Sequence, residues 1–201
     1  MIAILGKKLM MTRIFDETGR QIPVTLMKFE KNVVNFIKTP VHDGYRAIQV
    51  AAAAKRKLNQ PEKGILKEID FKAKNLYEIK TDKQWKVGDE ITLDIFKEGE
   101  KVNVTGVGKG RGFSGTVKRH HFHLGPKTHG SNNYRRPGSI GATDAQRVFK
   151  GRRMAGRLGF QKSTLKNLEI IKINQDDQEM LIKGGIPGPR FCQILVWSLK
   201  E

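Results

Sequence analysis

Acidic residues all but vanish from one long stretch of this 201-residue sequence, and other shortages bound what the chain can be. A single cysteine, Cys192, excludes an internal disulfide. It sits in the apolar run FCQILVWSL (191–199), where a buried core thiol in a reducing, cytosolic compartment is expected. No apolar run reaches the roughly 18 residues of a membrane-spanning helix. The opening MIAILGKKLMM puts a short apolar block ahead of its charges, the wrong order for a signal peptide, so a soluble intracellular protein with no membrane partner is expected. No G-x-x-x-x-G-K-S/T phosphate loop occurs. No serine, cysteine or carboxylate stands where a base and its orienting partner can be argued. The chain is therefore not read as an enzyme, and no catalytic residue, small-molecule substrate or cofactor is assigned.

Positive charge is what the sequence has in excess. Lysines and arginines number 38 against 20 acids, a formal charge of +18, which favours a polyanionic partner such as RNA, DNA or an acidic membrane surface. The excess is local. Gly106 to Lys166, 61 residues, hold 14 lysines and arginines and one acid, Asp144, so +13 of the total lies there. The other 140 residues carry 24 basic and 19 acidic groups, only +5. The same stretch has 12 of the 21 glycines, and 26% of it is apolar against 38% of the whole chain. Ordering a residue costs about 1–2 kcal/mol of backbone entropy, so a segment too polar to form its own core is expected to be disordered alone and fixed by a partner. A plain linker would not need the aromatic and apolar residues spaced through the charge: Phe113, Phe122, Tyr134, Phe149, Met154 and Phe160. Those suit stacking on bases or wedging between RNA helices.

Outside this stretch, alternation with a period near 2 predicts strands, most cleanly in ITLDIF (91–96) and KVNV (101–104). Further strands are expected at 2–5, 9–15, 24–29, 32–38, 45–52, 75–80, 168–173, 180–184 and 191–199. Turn signals DETG (16–19), HDG (42–44) and NQDD (174–177) separate several of them. One helix is expected near Pro61, with Ile65, Leu66 and Ile69 on its apolar face. Many short strands and little helix argue for a small closed or partly closed β-barrel. The basic segment would leave after the strand ending near Val104 and return at Leu168.

Three motifs inside the basic stretch invite other chemistry. Gly110 to Gly115 form a G-x-G-x-x-G, but neither the helix nor the acid some 20 positions on that a dinucleotide site requires is there. Glycines that let amides approach phosphates, with Lys109, Arg111, Lys118 and Arg119 to neutralise them, fit an RNA backbone better. His120, His121, His123 and His129 suggest a metal, yet Lys118, Arg119 and Lys127 flank them and no Cys, Asp or Glu is near, so contacts to nucleotides are expected and no metal site is assigned. The run RVFKGRRMAGR (147–157) could be a basic amphipathic helix, but its glycines weaken a helix and its arginines fit phosphates bidentately, so an extended RNA-embedded strand is expected.

Several separated motifs in order carry a resemblance: GKKLMMTRIF (6–15), Phe96 to Asn103 with GKGRGFSG through Arg119, THG (128–130), RRPGSIG (135–141), VFKGRRMAGRLG (148–159) and KGGIPGP (183–189). In these the chain resembles the universal large-subunit ribosomal protein L-three family in its bacterial form, over nearly its whole length. The resemblance implies a mainly β fold with a six-stranded β-barrel of the translation-protein type, and an extension through 23S rRNA toward the peptidyl-transferase centre. It implies an early role in subunit assembly in the cytoplasm, with ribosomal proteins L-fourteen and L-nineteen as neighbours. Met10 and Gly108 depart from the family's usual glycine and its usual serine or threonine. Bacterial members often carry a methylated glutamine after the GSIG turn; here the stretch reads GATDAQR, one residue shorter, and the modification is not carried over to Gln146.

The expected organisation is a barrel domain of residues 1–105 and 167–201, with a small α/β insertion at about 42–90, and an irregular basic arm of 106–166 running out and back as two extended strands. Each limb of about 30 residues could span at most ~100 Å. The arm's RNA-binding groups are expected to be Lys109, Arg111, Lys118, Arg119, His120, His121, His123, Lys127, His129, Arg135, Arg136, Arg147, Lys150, Arg152, Arg153, Arg157 and Lys162, with the tip at Gly141, Ala142, Thr143, Asp144, Ala145 and Gln146. A general RNA chaperone without a fixed site is the competing expectation.

Overall fold

The computed structural model describes residues 1–198, so Leu199 of the expected last strand lies outside the described residues. The chain forms two units, Met1–Val107 with the chain from Lys162 onward, and Gly108–Gln161. The first unit is mainly β. Six of its strands are β1 (Ile2–Phe15), β2 (Gln21–Phe29), β6 (Lys101–Val107), β9 (Lys162–Asn174), β10 (Glu179–Lys183) and β11 (Gln193–Ser198). They pair antiparallel in the closed cycle β1-β11-β6-β9-β10-β2.

Two long strands make closure possible by changing partners along their length. Strand β1 pairs with β11 over Ile2–Lys7 and with β2 over Gly6–Phe15, with a register shift between Lys8 and Met10 where the strand bends. The expected strands at 2–5 and 9–15 are thus one continuous strand. Strand β9 likewise pairs with β6 up to Glu169 and with β10 from Ile170. Alternating residues of the shorter strands, Val102 and Val104, Met180 and Ile182, Ile194 and Val196, are buried in one core. Gly6 keeps that core closed: a Cβ there would lie 2.7 Å from the ring of buried Phe29.

The remaining strands, β3 (Asn32–Lys38), β4 (Ala47–Ala54) and β5 (Ala73–Ile79), form a separate sheet in the order β3-β4-β5 with two short helices, α1 (Pro40–Asp43) and α2 (Gln60–Ile65). This sheet starts at Asn32, before the expected residue 42. Its Val34, Ile48, Val50 and Ile79 join the main core, while Val33, Ala51, Leu66, Ile69 and Ala73 form a smaller cluster. Helix α2 is shorter than its apolar spacing predicted. The helix ends at Ile65, which is exposed, and Leu66 and Ile69 are buried from the turn beyond it. Its start is held by the Asn59 N–H, which donates to the Glu62 carboxylate at 2.8 Å.

The expected strand ITLDIF is instead a single 3-10 turn over Leu93–Ile95. Its alternation reported burial, since Ile91 and Leu93 enter the core. Strand β3 meets the chain there only at an isolated bridge, Val33 with Glu90, and through Ile91 N–H donating to Asn32 O at 2.9 Å, and among the described residues the pairing does not continue into a ladder. The Thr92 hydroxyl donates to Asp94 at 2.8 Å and stabilises the turn locally. Cys192, expected to be buried, is half-buried beside the core; desolvation pushes its thiol pKa up. No helix of the described residues is long and apolar enough to cross a membrane.

Candidate nucleic-acid interface

The ladder between β6 and β9 ends at Val107 and Lys162, so Gly106, Lys162 and Lys166, expected in the arm, belong to barrel strands. The acid-poor unit proper is Gly108–Gln161. Only Ser114 and Thr116 in it are buried, and both are polar. Its order comes from backbone pairing and glycine instead of an apolar core. The Gly108 N–H donates to Gln161 O, Arg111 N–H to Leu158 O, and Leu158 N–H to Gly112 O, each at 2.9 Å. Strands β7 (Phe113–Ser114) and β8 (Gly156–Arg157) then pair over two residues.

A short helix, α3 (Thr116–His120), follows β7, where an extended strand was expected. It has Lys118, Arg119 and His120 in its last turn, the end at which the helix dipole favours cations. His121 ends it in the left-handed conformation at φ 59°. Beyond it, Gly125 N–H donates to Tyr134 O at 3.0 Å and closes a loop that carries Lys127 and His129. The run 147–157, expected as an extended strand, is irregular up to β8. At residues 139–152, Arg152 donates to Ser139 O, and Gly141 lies against Arg147 O, so residues 141–147 fold back on themselves with Gln146 at φ 49°.

The structure presents the expected cations to solvent with one exception. Lys109, Arg111, Lys118, Lys127, Arg135, Arg136, Arg147, Lys150, Arg152, Arg153 and Arg157 are exposed. Arg119 is half-buried and donates from Nη1 to Met154 O at 2.7 Å, while His120 Nε2 lies 3.1 Å from the same oxygen. Arg119 is therefore a brace between the two limbs, a role its sequence position did not signal. His121, His123 and His129 are exposed, and the described residues contain no group of three or more potential metal ligands.

Charge compensation divides the units. The ion pairs Lys7–Glu30, Lys31–Glu90, Lys38–Glu78, Lys55–Glu62 and Lys183–Glu169 all lie in the barrel unit. None of the cations of Gly108–Gln161 has an ion-pair partner among the described residues. Several instead stand over aromatic rings: Lys127 over Tyr134 at 5.5 Å, Arg147 over Phe149 at 5.2 Å and Arg157 over Phe160 at 5.0 Å. Phe113, expected as a stacking residue, is 81% exposed. Exposed, uncompensated cations interleaved with exposed rings can neutralise phosphates and stack on bases.

Fold and interface together define a class: a mainly β protein with an acid-poor cationic unit suited to a polyanion. Sequence comparison makes the assignment specific. The family described as Ribosomal protein L3 matches residues 65–187. Large ribosomal subunit protein uL3 of Carboxydothermus hydrogenoformans is 46% identical over 198 residues, covering 96% of this chain and 95% of that protein. The proteins of the same name from Pelotomaculum thermopropionicum and Streptococcus mutans are 45% and 44% identical, again over 198 residues and at least 94% of either chain. The chain belongs to the ribosomal protein L3 family.

Proposed function

We propose that this chain is a structural constituent of the large ribosomal subunit, binding 23S rRNA through Gly108–Gln161. The observation that carries this reading is the set of exposed arm cations without acid partners, in a chain whose relatives are named as large-subunit proteins. A unit without a core of its own gains its contacts from the polyanion that surrounds it.

In this reading the barrel is of the translation-protein type, the sheet of β3-β4-β5 is its insertion, and the barrel docks on rRNA and on neighbours that include L-fourteen and L-nineteen. The arm runs through 23S rRNA toward the peptidyl-transferase centre, with Gly141–Gln146 at its tip, and primary binding near the 3′ domain nucleates assembly. The role is structural, in the cytoplasmic ribosome.

Deletion of residues 112–158 tests it. The shortened chain should keep its β-rich circular dichroism and lose co-sedimentation with large subunits in high salt, whereas the intact chain should be retained. An intact chain that washes off, and that binds arbitrary RNA as tightly as 23S rRNA, would instead be a general RNA chaperone.

A further inference from the structure

We propose that Phe191 and Arg190 form a second RNA contact, on the barrel unit: a fixed platform on which an unpaired nucleotide stacks. The proposal rests on the reading of the protein as an rRNA binder and adds to it a site outside the basic arm.

The loop between β10 and β11, GGIPGPRFC (184–192), is held at several points. The Lys8 ammonium reaches into it and donates to Ile186 O at 2.8 Å and Gly188 O at 3.2 Å. Lys8 N–H donates to Cys192 O, and Phe191 N–H donates back to Lys8 O at 2.7 Å. Arg190 Nε donates to Leu9 O at 3.1 Å, which fixes the guanidinium over the Phe191 ring, 5.4 Å from its centroid. Two prolines, Pro187 and Pro189, further restrict the segment.

This loop holds Phe191 at φ 62°, and the side chain is 65% exposed. Both facts call for a cause. Bulky L-residues avoid the left-handed region, which glycine or asparagine occupies with little strain. A phenylalanine this exposed gains little from burial in this unit. A loop with only a connecting role would be better served by another residue.

The same constellation recurs independently in the basic unit. Phe160 has φ 56°, is 63% exposed, and lies under the Arg157 guanidinium at 5.0 Å. In each unit, then, an exposed phenylalanine takes a left-handed backbone and carries an arginine on its ring. A base stacked on such a ring gains aromatic contact, and the guanidinium beside it meets the phosphate.

Charge favours RNA over a protein surface as the occupant. Neither Met1–Phe15 nor Met180–Ser198, the segments that build this loop and its neighbours, contains an acid. Arg13 and Arg190 have no ion-pair partner among the described residues.

The test is equilibrium binding of the full chain and its variants to a 23S rRNA transcript at several salt concentrations. Phe191→Asn suits the left-handed backbone and removes the ring; Phe191→Gly is a second ring-free variant should asparagine disturb the loop. Phe191→Tyr keeps the ring. The ring-free variants should melt no lower than wild type and bind about tenfold to a hundredfold more weakly. Their salt dependence should be unchanged, because no cation is lost, and the tyrosine variant should bind like wild type. Ring-free variants that bind the transcript as tightly as wild type would overturn the platform. Unchanged transcript binding with weaker retention on assembled subunits would overturn it in favour of a protein partner. A wild-type chain that does not bind the transcript would overturn the rRNA reading itself, and the wild-type curve shows this separately.

Discussion

Gly159 and Lys109 face each other at the root of the basic unit, backbone against backbone. A Cβ at position 159 would fall well inside contact distance of the Lys109 carbonyl oxygen, and Gly159 has φ 73° besides. No side chain can swing aside to relieve the clash. Gly156 offers a contrast: its Cβ would lie 2.6 Å from Arg119 Nη1, the end of a flexible side chain.

Gly159→Ala should therefore separate the limbs, breaking the pairing of Arg111 with Leu158 and of Gly108 with Gln161. Amide hydrogen exchange at Arg111 and Leu158 should accelerate at least about tenfold, roughly 1.4 kcal/mol of local stability, while barrel amides stay protected. Gly156→Ala should release the Arg119 bond to Met154 and leave those amides nearly unchanged. Equal exchange in the two variants would show that the limbs are not held by this approach.

In the barrel unit, Asn32 acts as a piece of backbone. Its side chain is fully buried, accepts from Leu5 N–H at 3.2 Å, and donates to Leu5 O at 3.0 Å and Glu30 O at 2.7 Å. Asn32→Leu replaces those bonds with an apolar side chain of similar size. It should lower unfolding free energy by about 2–4 kcal/mol, because buried backbone groups lose partners. Urea denaturation reads this directly, and a loss below about 0.5 kcal/mol would contradict it.

Glu78 ties the acid stability of the β3-β4-β5 sheet to a small network. Lys38, first by its hydrogen bond, and then Tyr45 hold the Glu78 carboxyl below its ordinary value of 4.5. The ammonium lies 2.7 Å from Oε2, and the Tyr45 hydroxyl donates to Oε1 at 2.7 Å. A carboxyl whose pKa is depressed on folding contributes stability above its unfolded pKa and loses that contribution as pH falls through the folded one. The wild-type melting temperature should fall between about pH 5 and 3, and Glu78→Gln should fall less over the same range. The difference should be modest because the group is exposed, and parallel curves would remove Glu78 from the acid transition.

How legible the protein was in sequence depended on range. The basic unit could be located by counting, since Lys109 to Arg157 sit among glycines with only Asp144 as an acid, and exposure follows from polarity alone. The strand alternation of Val102 and Val104 was equally direct. ITLDIF misled because burial of Ile91 and Leu93 has the same period whether or not a partner strand is present. The bend at Lys8 joins two apparent strands into one, and only pairing with both β11 and β2 reveals it. Arg119 reads like its neighbours in sequence, yet it is set apart by Met154, 35 residues away. The left-handed backbone of Phe191 follows from contacts to Lys8 and Leu9 at the other end of the chain, which no local motif encodes.

Salt dependence tests most directly whether the uncompensated cations of Gly108–Gln161 neutralise RNA phosphates. Replace Lys109, Arg111, Arg135 and Arg136 with glutamine and measure affinity for 23S rRNA across a salt series. Each lost phosphate contact should reduce the slope of log affinity against log salt by about 0.7–0.9, so the fourfold variant should be shallower than wild type by about 3. A wild-type slope near zero, or a variant slope equal to that of wild type, would show that these cations do not bind RNA phosphates.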